Sequence, residues 1–147
     1  MKTPFAILFA CNLNRVRSPM AAALAGRLFD GAVFTDSCGL FAAENVDPFA
    51  QAVMQEVGFD LAEHRPKTFQ DLRDSSFDLV ISLTPEAKAW AEDFASGRDM
   101  AAEHWPIPDP TLATGSREQK LEAYREVRRD LERRLVARFG RLSTPGA

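Results

Sequence analysis

The 147-residue sequence predicts an α/β fold, a single-domain three-layer sandwich in which a four-stranded parallel sheet is flanked by helices. Three observations support this. Short apolar runs alternate with segments of helical periodicity, the first run ends in a polar loop that opens into a helix, and neither an internal repeat nor a low-complexity linker divides the chain. With 46% hydrophobic and 27% charged residues, a chain of this length can bury a core of its own, so one domain spanning 1–147 is expected.

The elements follow in order. Phe5 to Phe9 is an apolar run too short for a helix, as in a strand buried on both faces. Ser18 and Pro19 read as the N-cap and first turn of a helix, along which Met20, Ala21, Leu24, Ala25 and Leu28 recur at helical spacing. Ala32 to Ser37 is a second strand. Pro48 opens a helix with Phe49, Ala52, Val53 and Val57 inward, stopped by Gly58. Phe77 to Leu83 is a third strand, and Thr84-Pro85 starts a helix with Ala87, Trp90, Ala91 and Phe94 inward. A short extended segment, Trp105 to Ile107, leads into Pro108-Asp109-Pro110. From Ser116 to Phe139, Leu121, Tyr124, Val127, Leu131, Leu135 and Phe139 form one stripe, while Glu122/Arg125, Glu126/Arg129 and Asp130/Arg133 pair on the wet face. Ligands of parallel sheets bind beyond the carboxyl ends of the strands. The loops after Phe9, Ser37, Leu83 and Ile107 should therefore converge on one crevice.

A net charge of −3 argues against a nucleic-acid or membrane surface, so any bound anion must be held locally. No apolar stretch reaches the roughly 20 residues that span a bilayer. The apolar start superficially resembles a short signal peptide, but Asn12, Asn14, Arg15 and Arg17 interrupt it with no small-residue cleavage site, so secretion is not expected. Two cysteines, Cys11 and Cys38, are too few for a disulfide framework, which points to a reducing, cytoplasmic setting. Two distant histidines and two cysteines lack metal-ligand spacing, so neither metal nor cofactor is expected.

The chemistry concentrates in Cys11-Asn12-Leu13-Asn14-Arg15-Val16-Arg17-Ser18. A loop joining a buried strand to a helix can turn its amides and the helix dipole toward one tetrahedral anion, a phosphate cradle. An arginine six positions after the cysteine can return over that anion, its planar fork matching two oxygens. The same field favours thiolate over thiol, making Cys11 a candidate nucleophile toward phosphorus. A free cysteine at a strand end is most often simple packing. Its placement before a polar loop and Arg17-Ser18-Pro19 favours the catalytic role.

With Cys-x5-Arg-Ser-Pro-Met-Ala after the first strand and Asp109-Pro110 late in the chain, the sequence resembles the low molecular weight protein tyrosine phosphatase family. Ser37-Cys38-Gly39 stands where that family has Ser-Ala-Gly, and Gly58-Phe59-Asp60-Leu61 through His64 is similar to its Gly-x-Asp-x-x-x-His segment. The resemblance implies that Cys11 is the nucleophile, Arg17 the phosphate clamp, and Asp109 the general acid and later the base. It also implies that Asn14, Ser18, Ser37 and His64 support the cradle, and that a phosphorylated protein or a small aryl phosphate is the substrate. The chain departs from the family in three places. Val16 stands where many members carry a second cysteine, Leu13 replaces a common glycine, and Thr111-Leu112 replaces two tyrosines. Leu13, Phe41, Trp105 and Leu112 are then the candidate apolar walls.

The same architecture serves thiol-dependent arsenate reductases, the alternative function, which need a thiol reductant as partner. A relay from Cys11 to Cys38 or to a soluble thiol would meet that need. A non-catalytic anion-binding or regulatory module is a third reading, disfavoured because Cys11, Arg17 and Asp109 are all present.

Overall fold

The computed structural model describes residues 4–73 and 76–140. Strands β1 (Ala6–Cys11), β2 (Phe34–Gly39), β3 (Leu79–Ser82) and β4 (Ala101–His104) form one parallel sheet in the order β2-β1-β3-β4. Helices α1 (Arg17–Leu28), α2 (Pro48–Gln55) and α4 (Arg117–Phe139) cover one face, and α3 (Pro85–Ala95) covers the other. This is the predicted three-layer α/β fold.

The alternation of side chains along a strand separates two cores. Ile7, Phe9 and Cys11 of β1 point into the layer with Met20, Leu24, Val53, Leu131 and Leu135. Ala6, Leu8 and Ala10 point the other way, with Cys38, Val80, Ala87 and Ala91. All six residues of β1 are buried, which is why its sequence reads as a continuous apolar run.

Several boundaries and faces move from those the sequence implied. Helix α1 begins at Arg17 with Val16 at its N-cap and no side-chain cap, so Ser18 lies inside the first turn and its hydroxyl is free for another use. In α2 the buried residues are Ala50, Val53 and Met54, and Phe49 is half-buried. Asp47 caps α2, accepting from Phe49 N and Ala50 N. In α3 the small residues Ala87, Ala91 and Ala95 face the sheet while Trp90 is exposed, because close approach to the sheet favours the alanine stripe. The fourth strand precedes the expected segment. It is Ala101–His104, an edge strand with little apolar content, and Trp105 and Ile107 extend its pairing by donating to Ser82 O and Leu83 O. The stripe of α4 is as predicted, with Leu121, Tyr124, Val127, Leu131 and Leu135 buried, and Ser116 caps it in a capping box with Gln119.

The strand order reverses between β1 and β3, where ligand crevices of such sheets open. The Cys11–Arg17 loop leaves β1 at that point.

Candidate active site

The loop between β1 and α1 is held from outside by its carbonyl groups. Leu40 N donates to Cys11 O at 3.2 Å, Phe41 N to Asn12 O at 3.0 Å, Ala43 N to Leu13 O at 3.1 Å, Asp47 N to Arg15 O at 3.0 Å and Met20 N to Val16 O at 3.2 Å. His64 Nε2 lies 3.0 Å from Asn14 O, completing a set in which every carbonyl from Cys11 to Val16 has a partner. Among the described residues, no amide from Asn12 to Arg17 donates to a protein acceptor. A loop whose carbonyls all bond outward turns its N–H groups inward, forming a concave set of donors suited to an anion. Asn14 makes the bend possible, with φ of 55° in the left-handed region that asparagine tolerates.

Asn14 is also the hub of the supporting network. Its Nδ2 donates to Ser18 Oγ at 2.8 Å and Ser37 Oγ at 2.9 Å, and its Oδ1 accepts from Lys67 N at 2.9 Å. Asn14, Ser18 and Ser37 are buried, so each of these polar groups depends on the others. The structure thus brings Asn14, Ser18, Ser37 and His64 together around the loop. Burial pushes the His64 imidazole below its ordinary range, against the opposing pull of its bond to Asn14 O. The ring is therefore neutral at pH 7, with Nε2–H donating to that carbonyl.

Cys11 Sγ sits 2.9 Å from Ser18 Oγ, the hydroxyl that the helix does not use as a cap. The sulfur lies on the wall of an open cavity of about 340 Å³ lined also by Asn12, Leu13, Arg15, Val16, Arg17, Asp109 and Thr111. Arg17 reaches across to the segment after β4, donating from Nη1 to Ile107 O at 3.0 Å and placing Nη2 3.9 Å from Asp109 Oδ2. Asp109 Oδ1 is fixed by Thr111 N at 2.9 Å and Thr111 Oγ1 at 2.6 Å, so Oδ2 is the oxygen turned toward Arg17. Cys11, Arg17 and Asp109 share one cavity. Of the four predicted loops, those after β1 and after Ile107 line the cavity, while the other two brace the β1–α1 loop, Leu40 N and Phe41 N donating to Cys11 O and Asn12 O and Thr84 Oγ1 donating to Asn12 Oδ1 at 2.7 Å.

Of the four expected apolar walls, only Leu13 lines this cavity. Trp105 is buried against Phe9 and Phe139, filling the core where β4 meets α4. Phe41 is exposed outside the cavity because its backbone is tied to Asn12. Leu112 turns into a neighbouring groove with Pro108, Val127 and Arg133, and Thr111 takes the inward place. Cys38 pairs in register with Ala10 and points into the α3 layer, whereas Cys11 belongs to the opposite layer. The sheet therefore separates the two thiols. Burial also pushes the Cys38 thiol well above its ordinary range.

Asp47 escaped the sequence reading, although Asp47-Pro48 carries a helix-start signal. It is buried, caps α2, pairs with Arg15 Nη2 at 2.7 Å and accepts from Tyr124 Oη at 3.0 Å, so it fixes the flank of the cradle. Among the described residues no cluster of three His, Cys, Asp or Glu is placed to hold a metal, and no helix is long and apolar enough to cross a membrane.

Comparison with known proteins agrees with this geometry. The chain is 29% identical over 137 residues to a glutaredoxin arsenate reductase of Synechocystis, covering 93% of this chain and 98% of that protein. It is 31% identical over 144 residues to a protein-arginine-phosphatase of Geobacillus stearothermophilus, covering 88% and 90%. The solved YwlE arginine phosphatase from the same organism superposes with a TM-score of 0.74 at 30% identity, covering 93% of this chain and 91% of that one. The family described as low molecular weight phosphotyrosine protein phosphatase matches residues 6–144, and the chain belongs to that family.

Proposed function

We propose that residues 1–147 form one catalytic domain, a metal-independent phosphatase that works through a cysteinyl-phosphate. The observation that carries this reading is the position of Cys11 Sγ, 2.9 Å from Ser18 Oγ, in a cavity shared with Arg17 and Asp109. A phosphoryl group enters the cradle, the loop amides and the Arg17 fork take its non-bridging oxygens, and the Cys11 thiolate attacks phosphorus. As the S–P bond forms, the bond to the leaving oxygen breaks and Asp109 gives that oxygen a proton. An unprotonated phenolate, with a parent pKa of about 10, would leave poorly. In the second step Asp109 takes a proton from water as it attacks phosphorus, phosphate departs, and the Ser18 hydroxyl donates to the sulfur that leaves as thiolate. Arg17 moves from Ile107 O and Asp109 to the anion during this cycle.

The substrate we favour is an aryl phosphate or a phosphotyrosine side chain. Its competitor is phosphoarginine, because relatives carry that activity in their names. Leu13 supplies an apolar edge for a ring, and the two tyrosines of tyrosine-specific members are replaced by Thr111 and Leu112. Arsenate reduction is the second reading, favoured by the arsenate reductases among the relatives. It requires thiol electrons from outside the chain. Cys11 would displace water from arsenate, an external thiol would attack Cys11 sulfur to release arsenite, and a second thiol would reduce the mixed disulfide. An internal relay through Cys38 is disfavoured, since that thiol faces the opposite layer.

The test is steady-state hydrolysis of p-nitrophenyl phosphate without metal by wild type, Cys11→Ser and Asp109→Asn, with phosphoarginine and arsenate plus glutathione assayed in parallel. Turnover lost in Cys11→Ser and reduced in Asp109→Asn is expected. Full activity in Cys11→Ser, or arsenate reduction without phosphatase turnover, would sink the proposal.

A further inference from the structure

A second cleft of about 460 Å³ adjoins the catalytic cavity and shares Arg15 and Thr111 with it. Its other lining residues are Asp47, Pro48, Phe49, Arg117 and Tyr124. Two guanidinium groups and one carboxylate line it. That carboxylate is already saturated, because Asp47 accepts from Phe49 N at 2.7 Å, Ala50 N at 3.2 Å, Tyr124 Oη at 3.0 Å and Arg15 Nη2 at 2.7 Å. Arg15 has donor capacity left on its partly exposed guanidinium, since among its described contacts only Nη2 is engaged, by Asp47. Arg117 forms no salt bridge among the described residues and lies over the Phe49 ring, 5.2 Å from its centroid, with that ring against Tyr124. Cation–π contact steers a guanidinium while leaving its edge donors available.

Helix stability does not explain Arg117. It is the first residue of α4, where the helix dipole disfavours a cation. The cleft carries one net positive charge beside the phosphoryl site. A single carboxylate on a short stem satisfies it, the methylenes lying along Pro48 and the aromatic rings.

We infer that this cleft is an anion subsite and that the preferred substrates are peptide segments with an acidic side chain adjacent to the phosphorylated residue. The inference rests on the phosphatase reading and adds its substrate class. Arg117 with Arg15 receives the carboxylate while the cradle holds the phosphoryl group.

The experiment compares kcat/KM for matched phosphotyrosine peptides with Glu or Gln at the flanking positions, with p-nitrophenyl phosphate as reference. Wild type should prefer Glu by about three- to fivefold at low salt, the scale of an exposed ion pair, and the preference should shrink as salt is raised. Arg117→Ala should bring the ratio to about one, and Arg117→Lys, which keeps the charge, should restore most of it. Lys88→Ala, on α3, should leave the ratio as in wild type. A wild-type ratio near one, a ratio that survives in Arg117→Ala, or hydrolysis of p-nitrophenyl phosphate with neither peptide turned over would overturn the subsite. Absence of turnover on p-nitrophenyl phosphate itself would instead fail the phosphatase reading and take the subsite with it.

Discussion

Replacing Asn14 by alanine should cost more stability than any other single change to the cradle, and the size can be worked out from its contacts. Asn14 is fully buried at 0% exposure and makes three side-chain hydrogen bonds, to Ser18, Ser37 and Lys67 N. Each such bond is worth about 1 kcal/mol net, and a buried donor left without a partner costs somewhat more. Ser18 keeps its existing contacts with Cys38 O and Cys11 Sγ, which do not replace the lost Asn14 N–H, and Lys67 N has no substitute acceptor among its described contacts. Alanine at φ of 55° adds about 1 kcal/mol of left-handed strain. The sum is about 4 kcal/mol, or a fall in Tm of about 15 °C for a chain of this size. Asn14→Gly loses the same bonds without the strain and should be more stable than Asn14→Ala by about 1 kcal/mol. Urea unfolding of the three proteins measures both differences, provided the m-values agree. Turnover of p-nitrophenyl phosphate should fall on the order of 10²-fold in both variants, because the sulfur and the amides lose their alignment. An alanine variant within about 0.5 kcal/mol of wild type, or a glycine variant no better than alanine, would refute the account of the loop as a strained, hydrogen-bonded unit.

Two further outcomes follow from the same region. A methyl group on Gly39 would lie 2.6 Å from Phe41 O and 2.9 Å from both Asn12 O and Asn14 N, all backbone atoms that cannot turn aside. Gly39→Ala should therefore lose about 1–3 kcal/mol in thermal or urea melts and depress turnover, and an unchanged melt would show that the β2 loop does not press on the cradle. His64 has a folded pKa below its unfolded value, so the unfolded chain binds more protons between the two. Its stabilising contribution is complete above the unfolded value of about 6.5 and is lost as pH falls toward the folded one. Melts at stepped pH should show wild type weakening below about pH 6.5 more steeply than His64→Gln, and identical slopes would remove His64 from that dependence.

How far the sequence reached depends on the range of the forces involved. The apolar run at Phe5 to Phe9 and the stripe from Leu121 to Leu135 were legible because burial imposes a period on neighbouring residues. β4 was missed for the converse reason, since an edge strand of Ala101, Ala102, Glu103 and His104 carries no such imprint. Ser18 read as a cap because serine before an apolar run commonly is one, whereas its hydroxyl is claimed by Asn14 and Cys11.

The sequence by itself determined the order of strands and helices, the strand-loop-helix unit with Cys11 and Arg17 six apart, and the set of polar residues able to support it. These are local properties of period, spacing and residue type. Only the tertiary structure decided that the Asn14 side chain meets Ser37 and Lys67, that Cys38 is turned to the far layer, that Trp105 is core, and that Arg15 and Arg117 flank one cleft. Those are contacts between residues dozens of positions apart. They exist because the parallel register of β1 with β2 and β3 brings the loops to one edge, and strand alternation assigns each side chain its face.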